Sequence, residues 1–312
     1  MMQKVLFCGL GSMGMRHLRN LAKLFRQAGE SYEIHAMRSS RRALPDGVKD
    51  LVEKEFHSWD SVEYSYDMAF ITNPTSEHYH ALGQVVCRTK RIFIEKPVFQ
   101  CANTDVGGLG LTDSHICYVA APLRYTRAIR YIKEFLAGRK VLSVRSICSS
   151  YLPEWRPGTN WKECYSANVA MGGGVDLDLI HEWDYLVYLF GFPTEVHAIH
   201  GRYSDITVDS CDNAVYIASY PRMSVSLHLD YFGRVPCRRM ELFLEDDVVE
   251  VDFIQGRILF RKLGKCMDVS EERDDMQMEE LRYFLHLRNN RENENRIGHA
   301  IRVLELAKGE GK

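Results

Sequence analysis

Lys4-Val5-Leu6-Phe7-Cys8-Gly9-Leu10-Gly11-Ser12-Met13-Gly14 is the stretch on which the fold of this chain turns. Residues 4–8 read as a short strand that runs directly into G-x-G-x-x-G. Behind the glycines, Met15, Leu18, Leu21, Ala22 and Phe25 recur at helical spacing, which predicts a helix over residues 13–25. Strand, glycine turn and helix in that order form the unit that cradles a dinucleotide pyrophosphate. Gly9 permits the tight turn, Gly11 lets the backbone approach the phosphates, and Gly14 lets the helix pack close to the sheet. The helix N-terminus then faces the anion. Gly9, Gly11, Ser12, Met13 and Gly14 are the cofactor-binding residues expected here.

Further strands are expected at residues 33–37, 68–72, 91–94 and 116–120, alternating with helical patterns, as in a parallel sheet covered on both faces. After about Ala121 the pattern changes. A helix at 126–137 and a strand at 141–149 lead into a loop rich in Trp, Pro and Gly at 151–174, then a helix at 175–190. Longer strands follow at 214–220, 224–231, 240–244 and 248–252. Helices at 276–287 and 296–307 close the chain, with residues 288–295 read as a solvated polar connection. The fold class is α/β: an N-terminal Rossmann doubly wound parallel sheet over residues 1–120, and a C-terminal α+β domain over 121–312 built on a mainly antiparallel sheet.

Composition narrows the function. The 312 residues, 46% of them hydrophobic, suffice for two cores, and 40 basic against 42 acidic residues leave no field for nucleic acid or an anionic membrane. No apolar run approaches the roughly 20 residues of a membrane helix. The N-terminus enters the first strand with no leader pattern, so a cytoplasmic protein is expected. The nine cysteines are odd in number and form no C-x-x-C pair, so they read as reduced thiols and no metal site is expected.

At the end of the second strand, where an acidic residue would hold the adenosine ribose of NAD, the sequence is Met37-Arg38-Ser39-Ser40-Arg41-Arg42. Arg38, Ser39 and Arg41 suit a 2′-phosphate, which favours NADP(H) and leaves NAD(H) as the alternative; a solvated basic loop is the other reading of this segment. Thr72-Asn73-Pro74 stands at the carboxyl end of a parallel strand, where ligands of such sheets sit. His78 follows on the next helix, as a cofactor residue or a surface one. The next strand ends in Glu95-Lys96-Pro97.

The glycine fingerprint, T-N-P and E-K-P together resemble the Gfo/Idh/MocA oxidoreductases, NAD(P)-dependent enzymes that act on sugars, inositols and related polyols. Leu123-Arg124-Tyr125 resembles that family's R-F/Y segment, and Gly172-Gly173-Gly174 followed by Asp178 and His181 resembles its G-G-G…D…H segment. The resemblance implies that Glu95 and Lys96 lie at the cofactor, that Lys96 also meets the substrate, and that His181 exchanges the proton of the reacting hydroxyl. Such chemistry needs a group that moves a proton near neutral pH, and histidine does so with little tuning. A lysine beside it holds the oxygen as charge develops.

On one continuous helix at about 100° per residue, Asp178, His181 and Tyr185 would share a polar arc, opposite Leu179, Trp183, Leu186, Val187 and Phe190. The family often spaces its Asp and His by four residues; here the spacing is three, which leaves the catalytic role of Asp178 open. The loop before this helix carries Trp155, Arg156, Trp161, Lys162 and Tyr165, a mixture suited to a sugar ring bearing an anionic group or to a dimer contact. Arg124, Trp155, Arg156, Trp161, Tyr165, Asp178 and His181 are thus substrate-binding candidates. Residues 151–158 with 178–182 resemble the subgroup that serves surface-polysaccharide sugar biosynthesis. Between Pro97 and Ile116, where the family has a helix, three glycines in residues 105–110 predict a short or loose one.

The sequence therefore points to an oxidoreductase interconverting a hydroxyl and a ketone on a sugar, sugar acid or sugar nucleotide. The alternatives are a non-catalytic NADP(H)-binding regulator and a family member that recycles a tightly bound cofactor. A homodimer or homotetramer built on the antiparallel sheet is expected.

Overall fold

Residues 68–71 and 116–119 are buried at every position, as befits strands covered on both faces. In the computed structural model, which describes residues 2–62, 65–155, 158 and 160–310, they lie in a six-stranded sheet. Its strands are β1 (Gln3–Cys8), β2 (Tyr32–Met37), β3 (Lys54–Phe56), β4 (Met68–Ile71), β5 (Arg91–Ile94) and β6 (Ile116–Val119). The order is β3-β2-β1-β4-β5-β6, parallel throughout. That is the doubly wound order, whose reversal beside β1 opens a ligand crevice at the carboxyl ends of the strands. Helix α1 (Ser12–Ala28) joins β1 to β2, and α2 (His78–Val85) leads to β5. No full helix joins β5 to β6; a single 3₁₀ turn, Gly107–Leu109, occupies the glycine-rich stretch.

The chain divides by packing into two compact units, one running up to Ala120 together with Gln277–Ile301, the other Ala121–Met276 with the chain from Arg302. The last helices, α6 (Asp275–His286) and α7 (Ile297–Lys308), were expected with the second domain throughout. Residues 277–301 pack with the first sheet instead: Phe284 stands edge-on to Phe70 and Phe93 at 5.6 and 5.5 Å, and Arg91 donates to the carbonyls of Phe284, Leu285 and Leu287 at the end of α6. The stretch 288–295 is not simply solvated either. Asn293 and Asn295 are buried, and their amides donate to the Cys117 and Val119 carbonyls, pairing the edge of β6 that would otherwise stay open.

The second unit is built on eight strands: β7 (Val141–Tyr151), β8 (Glu195–Gly201), β9 (Asn213–Ser219), β10 (Ser224–Asp230), β11 (Phe232–Leu244), β12 (Val248–Asp252), β13 (Arg257–Phe260) and β14 (Lys265–Asp268). Their order is β14-β13-β12-β11-β7-β10-β9-β8, antiparallel except for the β7–β10 pair. Alternation assigns the faces. Ala214, Tyr216, Ala218, Val225, Leu227 and Leu229 are buried, while Ile199 and Ile217 on the opposite side stand 62% and 53% exposed.

Helices α3 (Arg127–Phe135), α4 (Val175–Asp178) and α5 (His181–Phe190) belong to this unit. Trp183 of α5 meets Tyr216 edge-on at 5.2 Å in its core. The helix expected over 175–190 is broken: Leu179 leaves helical geometry at φ −97° and ψ 21°, and His181 becomes the first residue of α5. Apolar periodicity runs unbroken through this point, so nothing in the pattern marks the break.

Candidate active site

The glycine turn is held from behind. The Gly9 amide donates to the Met37 carbonyl, and the Thr72 hydroxyl donates to the Gly9 carbonyl at 2.6 Å. A Cβ on Gly14 would fall 2.5 Å from that carbonyl oxygen and 2.7 Å from the Thr72 hydroxyl, so helix and turn meet with no room for a side chain. Gly11 differs: a Cβ there meets nothing within 4 Å. It precedes α1 with no side-chain cap, and Ser12 beside it is exposed, so the first-turn amides face open space. Packing explains Gly14; at Gly11 the free backbone suits a phosphate brought close to the chain. Asn73, half-buried beside the turn, has a buried Oδ1 with no donor among the described residues, and Pro74 is exposed. These residues fit a dinucleotide.

The E-K-P turn at the end of β5 is clasped by two buried histidines. His17, on the inner face of α1, donates from Nε2 to Glu95 Oε1 at 2.5 Å, and the Lys96 amide donates to Glu95 Oε2 at 3.1 Å. Burial pushes the Glu95 carboxyl up; the His17 hydrogen bond and the charges of His17 and Lys96 outweigh it and leave the group below its ordinary value. His78 was expected either at the cofactor or on the surface. It is neither, being 1% exposed with Nδ1 3.1 Å from the Val98 carbonyl and Nε2 3.0 Å from the Asn73 carbonyl. Burial pushes its imidazole down. The ring staples the T-N-P turn to the segment after Pro97. Lys96 itself is half-buried.

At the end of β2, Arg38 is also buried. Its guanidinium is ion-paired to Glu55 of β3 and donates to the Arg42 carbonyl at 2.8 Å, whereas Ser39 and Arg41 are exposed.

In the second unit, Asp178 is buried and accepts hydrogen bonds from the hydroxyls of Tyr165 and, at 2.5 Å, Tyr231. Burial and then the Asp178 charge hold the Tyr231 hydroxyl protonated well above the usual tyrosine range. Gly173 allows this arrangement, since a Cβ there would fall 2.2 Å from the Tyr165 carbonyl oxygen. Trp155 stands edge-on to Tyr231 at 5.3 Å and donates to the Ser150 hydroxyl. His181 and Trp161 are half-buried, and Arg156 lies outside the described residues.

Two expectations fail here. Tyr185 does not share a polar arc with His181: it is fully buried, donating to Glu182 Oε2 at 2.7 Å. Arg124 is 3% exposed and bidentate on Asp184, at 2.8 Å through Nε and 2.7 Å through Nη2, a structural ion pair in place of a substrate contact. The residues that pattern reading missed are His17, Glu55, Asp184 and Tyr231. Of these only His17 left a signal, a polar ring on the apolar face of α1.

Residues 3–105 match the model of the GFO_IDH_MocA family, an oxidoreductase family with an NAD-binding Rossmann fold. No curated protein matches the chain in sequence. Solved structures share the fold over its whole length. A UDP-N-acetylglucosamine 3-dehydrogenase from Acidithiobacillus ferrooxidans is 20% identical with TM-score 0.77, over 99% of this chain and 97% of that one. A levoglucosan dehydrogenase in complex with NADH is 16% identical with TM-score 0.81, over 99% and 96%. An NAD-binding oxidoreductase from Klebsiella pneumoniae is 13% identical with TM-score 0.82, over 99% and 96%. Residues 3–105 thus match the NAD-binding Rossmann domain of that oxidoreductase family, and the chain as a whole shares the fold of these dehydrogenases.

The two glycines separate packing from binding. Gly14→Ala is expected to destabilise the protein by about 1–3 kcal/mol, the scale of overpacking, in urea unfolding. Gly11→Ala is expected to unfold like the wild type yet bind NADPH at least about tenfold more weakly in a fluorescence titration, since a methyl would stand where the phosphates approach. Equal stability of the two variants, or normal binding by Gly11→Ala, would contradict these assignments.

Proposed function

We propose that this protein is a dehydrogenase that interconverts a hydroxyl and a ketone on a sugar-like substrate, using a nicotinamide dinucleotide. The observation that carries the reading is the glycine turn: closed behind by Thr72 and Gly14, open in front at Gly11, with the T-N-P turn on the neighbouring strand and the E-K-P turn one strand further along the same sheet. The sugar and sugar-nucleotide dehydrogenases that share the fold support a sugar or sugar nucleotide as substrate, and the resemblance to enzymes of surface-polysaccharide biosynthesis points the same way.

Gly9, Gly11, Ser12, Met13 and Gly14 hold the pyrophosphate, and Thr72, Asn73, Pro74, Glu95 and Lys96 line the nicotinamide end. When bound, the nicotinamide ring supplies or accepts the hydride. Lys96 holds the reacting oxygen, and His181 takes the hydroxyl proton in oxidation or returns it in reduction. Asp178, three residues before His181, orients Tyr165, a positioning role, and Trp155, Arg156 and Trp161 supply contacts to the sugar. Arg38, Ser39 and Arg41 favour NADP(H), with NAD(H) as the weaker partner. The nine cysteines are free thiols, in keeping with a reducing compartment such as the cytoplasm, and among the described residues no helix is long and apolar enough to cross a membrane. The apolar residues Ile199 and Ile217, exposed on one face of the eight-stranded sheet, support a homodimer or homotetramer. A strictly monomeric mass by light scattering at micromolar concentration would contradict that assembly.

Lys96→Met and His181→Ala test the chemistry. Each is expected to fold and bind NADPH nearly as the wild type does while turnover on a responsive sugar falls by about 10²-fold or more, the usual scale for losing a general acid or base. The pH–rate profile is expected to lose an ionisation near neutrality in His181→Ala. Full turnover by His181→Ala would assign the proton to another group.

A further inference from the structure

The carboxyl ends of β2 and β3 hold a charge arrangement that Arg38 alone does not convey. β3 pairs with β2 so that Ala36 faces Glu55 and Met37 faces Phe56, and the Arg38 amide donates to the Phe56 carbonyl. Arg38 is therefore fixed at the strand end, about twenty residues past the glycine turn, where a Rossmann fold meets the adenosine ribose. The Arg42 carbonyl takes Nη2, Glu55 takes Nη1, and the His57 ring donates from Nδ1 to the Arg38 carbonyl at 2.9 Å. Arg38 is 8% exposed, while the Glu55 side chain is 35% exposed and thus open to a ligand.

We propose that Glu55 sets the choice between the phosphorylated and unphosphorylated dinucleotide by holding the Arg38 guanidinium with a carboxylate of its own. The inference rests on the dehydrogenase reading above. A 2′-phosphate arriving at Arg38 competes with Glu55 for one cation and meets a like charge, so the arginine favours NADPH less than it would alone. A ribose 2′-hydroxyl arrives uncharged and donates to the same carboxylate, as the acidic residue at the end of β2 does in NAD-selective folds. Glu55 thus supplies, from the neighbouring strand, the acid that β2 lacks. The wild type accepts both dinucleotides with modest discrimination.

The test measures Kd for NADPH and NADH by fluorescence titration of the wild type, Glu55→Gln and Glu55→Ala at low salt, with circular dichroism confirming that each variant is folded. Removing the carboxylate is expected to tighten NADPH about tenfold and to leave NADH within about threefold, the scale of one like charge removed near a phosphate at the protein surface. The gain should shrink at high ionic strength, because the pair is partly exposed. An unchanged or reduced NADPH/NADH affinity ratio in both folded variants overturns the role of Glu55 alone. Failure of the wild type to bind either dinucleotide overturns the dehydrogenase reading and this inference with it.

Discussion

The hydroxyl of Thr72 reaches across from the end of β4 to the Gly9 carbonyl at the end of β1, and Gly14 brings the first turn of α1 down onto the same oxygen. Three elements converge on one backbone atom, and the turn between them has nowhere to move. The close approach fixes where the amides at the start of α1 point and leaves Gly11 as the open position. The crevice beside β1 takes its chemistry from this contact, since anion binding at a helix end depends on the direction of unpaired amides.

The E-K-P turn depends on similar ties. His17 and His78 approach it from two different helices, one through the Glu95 carboxylate and the other through the Val98 carbonyl, and both rings are buried. Because His17 lies on α1, three residues beyond Gly14, the helix that begins at the glycine turn also anchors the turn bearing Lys96. In the second unit Asp178 plays a comparable part, gathering Tyr165 and Tyr231. Buried polar groups are costly unless paired, and the buried Glu95, Arg38 and Asp178 are each paired.

How much of this was legible in the sequence depended on whether the signal was local. The glycine fingerprint, the apolar strands of the first sheet and the end of β5 at Glu95 could be read because strand, turn and spacing all lie within a few residues. β3 could not: three residues, Lys54-Glu55-Phe56, two of them charged, form an edge strand recognisable only by its pairing with β2. The ion pair of Arg38 was hidden for the same reason, its partner being 17 residues away on that strand. Arg124 and Asp184 lie 60 residues apart, and nothing in either neighbourhood announces the pair. The break between Asp178 and His181 was hidden by apolar residues that suit a continuous helix as well as a broken one. Asn293 and Asn295 looked like loop residues because asparagine usually is one; the exposed edge of β6 gave them their use.

The central claim is that the backbone amides opening α1 receive the pyrophosphate of a nicotinamide dinucleotide. Amide chemical shifts of the deuterated, ¹⁵N-labelled wild-type protein, followed during titration with NADPH, test it most directly. The Gly11, Ser12 and Met13 amides should move together and saturate at one dinucleotide per chain. Saturable binding that leaves these three amides unmoved would contradict it.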